Sequence, residues 1–345
     1  MNIFFGENAV AQLTNLTNNY DKFFLLTDEN IFRIYSSMIA SLLPEKEIDK
    51  IVIPAGEESK SIENVVLIWN RLLEGKAGKD SLLINLGGGT ISDIGGFAAS
   101  CYKRGIDIVN VPTTLLAMID ASIGGKNGIN FKNYKNQIGL FSEPESIIIN
   151  PNFLKTLNTR DVMSGLAEMM KYAFISDLSF LDLDSDNYMD FIEKAAMTKD
   201  EIVSLDMKES GLRKILNFGH TIGHALESYY LDLRSSGIQD DYLTHGEAVA
   251  LGMYSALYLS VKYCGLDVSW LLFYEMWFKG NLNLLNLSDF DVDRIFSYIA
   301  HDKKNKGGKP RFVLISAPEK PQIDVEVAEY DIKDAILILK EKFSE

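Results

Sequence analysis

The sequence predicts an α/β protein in two parts, a parallel sheet with crossover helices followed by a helical half, and three observations carry that prediction. Short apolar runs alternate with amphipathic helical patterns as far as residue 149. After Pro151 the strand signals nearly vanish, and long stretches of 3.6-residue periodicity replace them. The length, 345 residues, suits about two domains at roughly 150 residues each. A boundary near residue 152 follows, giving domains over 1–152 and 153–345.

Taken in order, the strand candidates are Lys22 to Thr27, Ile48 to Ile53, Ser81 to Leu86, Asp107 to Val111 and Ser146 to Ile149, with helices expected over Glu29 to Leu43, Ser61 to Leu73 and Ile91 to Cys101. The second half reads as helices over Arg160 to Ser176, Asp190 to Glu209, Lys214 to Tyr230 and His245 to Cys264. One returning strand is expected at Arg311 to Ser316 and a terminal helix at Ile332 to Phe343.

Composition excludes several classes. Lys plus Arg is 34 against 48 for Asp plus Glu, a net charge of −14, so a general nucleic-acid or anionic-membrane binder is excluded. Hydrophobic residues at 47% and charged residues at 24% match a globular domain and not a disordered, collagenous or coiled-coil chain. Cys101 and Cys264 form neither a disulfide framework nor a thiolate metal site, which fits a reducing cytoplasm. The first residues, without a basic residue before Lys22, do not read as a secretory signal. The longest uncharged apolar run, Ala248 to Val261, is 14 residues long and reads as a buried helix, too short to cross a bilayer.

The strand Ser81 to Leu86 runs into Gly87-Gly88-Gly89-Thr90-Ile91-Ser92-Asp93. Glycines let backbone N–H groups approach a ligand, and the amides at a helix N-terminus attract phosphate, so this turn suits a dinucleotide pyrophosphate. A plain tight turn with Thr90 as N-cap reads the same way, because GxGxxG is absent. Asp120 to Asn127 (DASIGGKN) looks superficially like a phosphate-binding Walker A loop. It lacks Gly at 120 and Ser or Thr at 127, so an NTPase is rejected.

His220, His224 and His245 lie within 26 residues of one another. His220 and His224, four apart, share a helix face, and His245 opens the next helix. Imidazole is a common Zn²⁺ ligand, a catalytic site uses three protein ligands, and Glu168, a charge amid apolar residues with Lys171 three positions on, is the best placed carboxylate. Each histidine alone reads as a core residue; the cluster reads as a metal site. Among the cations, Lys126, Lys135, Lys171, Lys199, Arg213 and the run from His301 to Lys306 are candidates to clamp an anionic substrate.

These motifs, from PAGEESK (54–60) through GGGTISD, VPTTLLA, DASIGGK, KNQIG, GLAEMMK, GLRKILNFGHTIGHALE and HGEAVALG to HDKK, resemble the 3-dehydroquinate synthase family, in order and over nearly the whole chain. The resemblance implies a Rossmann-like NAD domain followed by an all-α C-terminal domain. It implies that Glu168, His220 and His245 hold a metal, Zn²⁺ or Co²⁺, while His224 is an acid/base group on the substrate side. The substrate set implied is Asp120, Lys126, Lys135, Asn136, Lys171, Lys199, Arg213 and Asn217, with Lys303 or Lys304 adding a cation. Arg104 matches an arginine lent across a homodimer interface. Asp28, Asn30, Glu57, Lys60, Gly88 and Gly89 look like NAD contacts, as do Asp93, Thr113, Thr114 and Thr156, with Lys126 and Lys135 beside the cofactor. Asn127 and Gln137 depart from the family pattern.

The activity implied is conversion of 3-deoxy-D-arabino-heptulosonate 7-phosphate to 3-dehydroquinate and phosphate, a step of the shikimate pathway toward aromatic amino acids. It uses transient NAD oxidation, phosphate elimination, re-reduction and an intramolecular aldol step. Related sugar phosphate cyclases change the groups that read the substrate carboxylate and phosphate; Arg213, Asn217, Lys135 and Asn136 favour the synthase. A metal-dependent NAD alcohol or glycerol dehydrogenase would accumulate NADH. A silent NAD- or metal-binding protein would show gaps among Glu168, Lys171, His220, His224 and His245, and there are none.

Overall fold

A computed structural model describes residues 1–41, 47–132, 134–238, 242–282, 290–300 and 310–343, and the chain divides into two compact units, Met1–Leu157 and Asn158–Glu345. The sequence candidates at His301 and Lys303 to Lys306 lie outside the described residues.

In the first unit β1 (Asn2–Phe5), α1 (Ala11–Leu16), β2 (Lys22–Asp28), α2 (Glu29–Ser41), β3 (Ile48–Ile53), α3 (Ile62–Glu74), β4 (Ser81–Gly87), α4 (Gly89–Cys101) and β5 (Asp107–Pro112) follow one another. A hairpin, β6 (Lys126–Phe131) with β7 (Tyr134–Phe141), precedes β8 (Ser146–Ile149). Six strands form one parallel sheet in the order β1-β8-β5-β4-β2-β3. Strand β4 is buried along its whole length, which is why its apolar run shows no alternation. Its flanking helices bury Val65, Ile68 and Leu72 from α3 and Ile94, Ala98 and Ala99 from α4, and Trp69 Nε1 donates to Ala98 O at 2.8 Å between them.

The chain leaves β2 for β3 on one side and returns to β4 on the other, so the winding reverses between β2 and β4. Ligands of open parallel sheets bind outside the carboxyl ends of strands at such a reversal. Asp28 ends β2 and Gly87 ends β4.

The second unit contains α5 (Thr159–Ile175), α6 (Ile192–Leu205), α7 (His220–Ser235), α8 (His245–Cys264), α9 (Val268–Asn281), α10 (Val292–Ala300) and α11 (Glu329–Phe343). It is helical as expected, with one addition. The single strand expected at residues 311–316 is half of an antiparallel pair, β9 (Arg311–Ile315) and β10 (Pro321–Glu326). Two helix expectations also change. The helix expected over Lys214 to Tyr230 begins only at His220: Leu212–Asn217 is a 3₁₀ turn, and Gly219 takes a left-handed φ of 80° that interrupts the helix. The helix expected over Asp190 to Glu209 covers Ile192–Leu205, because Asp206 turns the chain instead, as described below.

Helices α5 and α8 are the centre of this unit, buried without a break over Ser164 to Ile175 and Gly246 to Leu257. Such helices are apolar all round, and a charge on one needs a specific partner.

Candidate active site

Glu168 and Lys171 are the charged pair on α5, with side chains 0% and 1% exposed as residues. Three positions apart, they meet on one face at 2.5 Å. The N-terminus of α8 is brought to them by a clamp. Thr244 caps α8 in a reciprocal capping box with Glu247. Glu247 also accepts from Arg160 Nε and Nη2, both at 2.7 Å, and Gly246 N donates to Ser164 Oγ at 3.0 Å. A Cβ on Gly246 would stand 2.0 Å from Ser164 O, so the backbones of α5 and α8 touch there as only glycine permits.

The residue beside that contact is His245, whose Nε2 lies 3.3 Å from Glu168 Oε1; His220 Nε2 reaches the same oxygen at 3.4 Å from α7. His224 completes the group: its ring centroid is 5.1 Å from that of His220 and 5.7 Å from that of His245. The three histidines offer nitrogens within 4.8 Å of one another.

The electrostatics favour a cation. Burial raises the Glu168 carboxyl, but Lys171 and then His220 and His245 outweigh it and hold the group well below the usual carboxylate range. Burial pushes His220 below its ordinary value, whereas at His245 the Glu227 and Glu168 carboxylates overcome burial and lift the imidazole to about 10. Both buried oxygens of Glu168 lack a hydrogen bond of good geometry. A carboxylate oxygen and two imidazole nitrogens converging where one oxygen is otherwise orphaned is the donor set that a divalent ion takes, so the residues present fit such a metal.

Arg213 and Asn217 stand on the 3₁₀ turn just before α7. Arg213 is 2% exposed and its Nη1 donates to Met207 O at 2.6 Å. Asp206 ties that turn together, accepting from Ser210 N and Oγ at 3.0 Å, Gly211 N at 2.7 Å and Arg213 N at 3.1 Å. Asn217 Nδ2 donates to Glu209 Oε1 and to Lys214 O. Lys199 is buried on α6.

In the first unit the glycine turn closes β4 and opens α4, with Gly88 as N-cap and no side chain capping the helix. Thr90, expected as the alternative cap, donates instead to Glu57 Oε2 at 3.1 Å. A Cβ on Gly88 would stand 3.1 Å from Thr114 Cγ2, and Thr113 N donates to Gly87 O at 3.0 Å. Lys60 pairs with Asp93 on α4. Glu57 Oε1 accepts from Asn130 Nδ2 at 2.9 Å and lies 3.9 Å from Lys135 Nζ.

Two sequence models, of the N-terminal and C-terminal parts of 3-dehydroquinate synthase, match residues 50–164 and 165–305. The chain belongs to the 3-dehydroquinate synthase family. A 3-dehydroquinate synthase of Parabacteroides distasonis is 38% identical over 94% of this chain and 93% of its own length, and one of Clostridium tetani is 40% identical over 91% and 84%. The solved structure of a 2-epi-5-epi-valiolone synthase from Streptomyces hygroscopicus, with NAD⁺ and Zn²⁺ bound, superimposes with a TM-score of 0.86 at 25% identity, over 99% of this chain and 97% of that one.

Within the family frame, the residues singled out from sequence fall into two groups. Glu168, Lys171, His220, His224 and His245 meet in the second unit, with Arg213 and Asn217 on the turn leading into them. Glu57, Lys60, Asp93, Lys135, Thr113 and Thr114 gather around Gly88 and Gly89 in the first. Asp28 caps α2, its Oδ1 accepting from Asn30 N at 2.9 Å and Ile31 N at 3.0 Å. Thr156 Oγ1 is 2.6 Å from Tyr35 Oη. Asp120 sits half-buried in the turn Ala117–Ala121, exposed Lys126 opens β6, and Asn136 has a left-handed φ of 51°. Arg104 is exposed past the far end of α4, a 13-residue helix, and so about 20 Å from the glycine turn. Sequence reasoning missed Glu227, Glu209 and the Arg160–Glu247 clamp. A signal existed for Glu227, a carboxylate seven residues after His220 and therefore on the same helix face.

Proposed function

We propose that the chain is a working 3-dehydroquinate synthase, converting 3-deoxy-D-arabino-heptulosonate 7-phosphate to 3-dehydroquinate and phosphate. The observation that carries the reading is the buried Glu168, facing His220 and His245 with Lys171 beside it. Glu168, His220 and His245 would hold a divalent ion, Zn²⁺ or Co²⁺. The first unit would hold NAD, with its pyrophosphate over Gly88 and Gly89 and with Asp28, Asn30, Glu57, Lys60 and Asp93 around it, at the winding reversal of the sheet. Held there, the ion would supply Lewis acidity toward the alcohol to be oxidised, and NAD would supply a reversible hydride acceptor.

The chain's own residues do the rest. Arg213, with its planar fork, and Asn217 grip the substrate carboxylate, and the buried setting of Arg213 strengthens that contact. Lys171 keeps Glu168 ionised. His224, its ring beside those of the two ligand histidines, is placed to exchange a proton with the substrate. Lys126, Lys135 and Asn136, from the hairpin β6–β7, receive the phosphate that leaves. Arg104 acts from a second copy in a homodimer; its distance from the glycine turn of its own chain supports that assignment. Two free cysteines, Cys101 exposed and Cys264 partly so, support a cytoplasmic setting.

The test is phosphate release from the heptulosonate phosphate with catalytic NAD and Zn²⁺. Phosphate should appear with no net NADH. NADH accumulating in proportion to substrate would replace this reading with a dehydrogenase.

A further inference from the structure

We infer that Glu227 is a positioning residue that holds the His245 ring from its Nδ1 side and thereby sets how tightly the centre keeps its metal. This inference rests on the reading of Glu168, His220 and His245 as the ligands.

Glu227 lies on α7 and is 7% exposed, on a stretch where Ala225, Leu226, Tyr229 and Tyr230 are buried too. A carboxylate in such a place is costly unless a specific partner compensates it. Its Oε2 stands 3.5 Å from His245 Nδ1, while Nε2 of the same ring stands 3.3 Å from Glu168 Oε1. Carboxylates from α7 and α5 therefore address the two nitrogens of one imidazole on α8. Glu227 belongs to the helix that also carries His220, so it ties the α8 histidine to the α7 histidine.

The two imidazoles are supported differently. His220 Nδ1 faces a backbone carbonyl, Phe218 O, at 3.1 Å. A neutral carbonyl fixes the tautomer and the ring angle. A carboxylate does both and also feeds negative charge into the ring, making Nε2 the stronger donor toward a metal. His245 is thus the ligand whose strength the protein tunes. It is also the one that needs fixing more, since its side chain is 27% exposed against 11% for His220.

The test uses the full chain and Zn²⁺ alone, without substrate. Affinity is measured by competition with a chromophoric chelator for wild type, Glu227→Gln, Glu227→Ala and His245→Ala, and the visible spectrum is recorded after Co²⁺ loading. Loss of an outer partner of a metal-binding histidine weakens binding about 10–100-fold, the range expected for Glu227→Ala. Glu227→Gln keeps the size and an accepting oxygen but not the charge, so it should fall between Ala and wild type. The Co²⁺ bands should shift in both variants, which a purely structural defect elsewhere would not cause. Should Glu227→Ala fail to fold, the Gln variant decides alone. Wild-type affinity and an unshifted Co²⁺ spectrum in Glu227→Gln, with His245→Ala having lost the ion, would overturn the inference and leave the ligand set standing. Wild-type Zn²⁺ binding by His245→Ala would instead sink the ligand set itself.

Discussion

Replacing Gly252 with alanine tests whether the seam between α7 and α8 sets the geometry of the metal centre. A Cβ at Gly252 would stand 1.9 Å from Gly219 O and 2.7 Å from Gly223 N, both backbone atoms that cannot rotate away. Facing it, a Cβ on Gly223 would meet Ala248 O at 2.9 Å, so the seam is tight from both sides. Restoring ordinary contact requires the helices to part by about 1.5 Å. Overpacking of this kind costs about 1–3 kcal/mol, and rigid backbone puts Gly252→Ala at the upper end. At roughly 2–4 °C per kcal/mol for a unit of this size, the melting point should fall by about 6–12 °C. The same movement separates His220, next to Gly219, from His245, whereas ligand distances tolerate only about 0.2 Å. Calorimetry of the full chain and chelator competition for Zn²⁺ give the two readouts, with Gly280→Ala as the control. A Cβ at Gly280 on α9 meets nothing within 4 Å, so that variant should melt no lower than wild type. If Gly252→Ala melts within a degree of wild type and binds Zn²⁺ normally, the reasoning from backbone contact fails.

Arg213→Lys keeps the charge and loses the fork, so kcat/KM should drop by a factor of about 30, or ~2 kcal/mol, with NAD affinity unchanged; a wild-type kcat/KM would remove Arg213 from carboxylate recognition. Gly88→Val should weaken NAD binding about tenfold or more, ~1.4 kcal/mol, because its Cβ presses on Thr114 and its branches cover the turn; calorimetric titration showing equal affinity would move the pyrophosphate elsewhere. Backbone N–H donors, Gly211 first and then Ser210 and Arg213, hold Asp206 down at about 2. Its folded pKa lies below its unfolded one, so its contribution to stability is complete above about pH 4 and is lost as pH falls toward 2. Asp206→Asn should flatten that stretch of the urea-midpoint curve, and an unchanged slope between pH 4 and 2 would contradict the bonding described.

Much of this was legible because buried elements write their period into the chain. Strands β2, β4 and β5 are apolar runs covered on both faces, and α8 is apolar enough to be read as a core helix. The hairpin β6–β7 was not legible. Its residues, KNGINF and YKNQIGLF, are chosen for other duties: Asn127 is buried under Gly96 of α4 and donates to Ser142 O at 2.7 Å, and Asn130 holds Glu57. β1 is four residues long and half-buried, and β10 is largely solvent-facing, so neither carries a clear alternation. At the site, residue types and spacing gave the cluster, but that His220 and His245 each turn Nε2 toward Glu168 Oε1 is visible only once the helices are packed. Spacing put Glu227 on the helix face of His220, but its partner, His245 on α8, shows only once α7 and α8 are packed.

Glu168 is a buried carboxylate whose two oxygens lie outside any good hydrogen bond and depend on the charges of Lys171, His220 and His245, a setting to which a divalent ion would add. With the ion held as proposed, binding is also folding energy: Zn²⁺ at a hundredfold excess over its Kd adds about 2.7 kcal/mol to the second unit. Copies made while zinc is scarce would then open more often and meet proteases in that state, so their lifetime would shorten along with their activity. On that reading, metal supply would set how much of this protein persists, before any substrate reaches it.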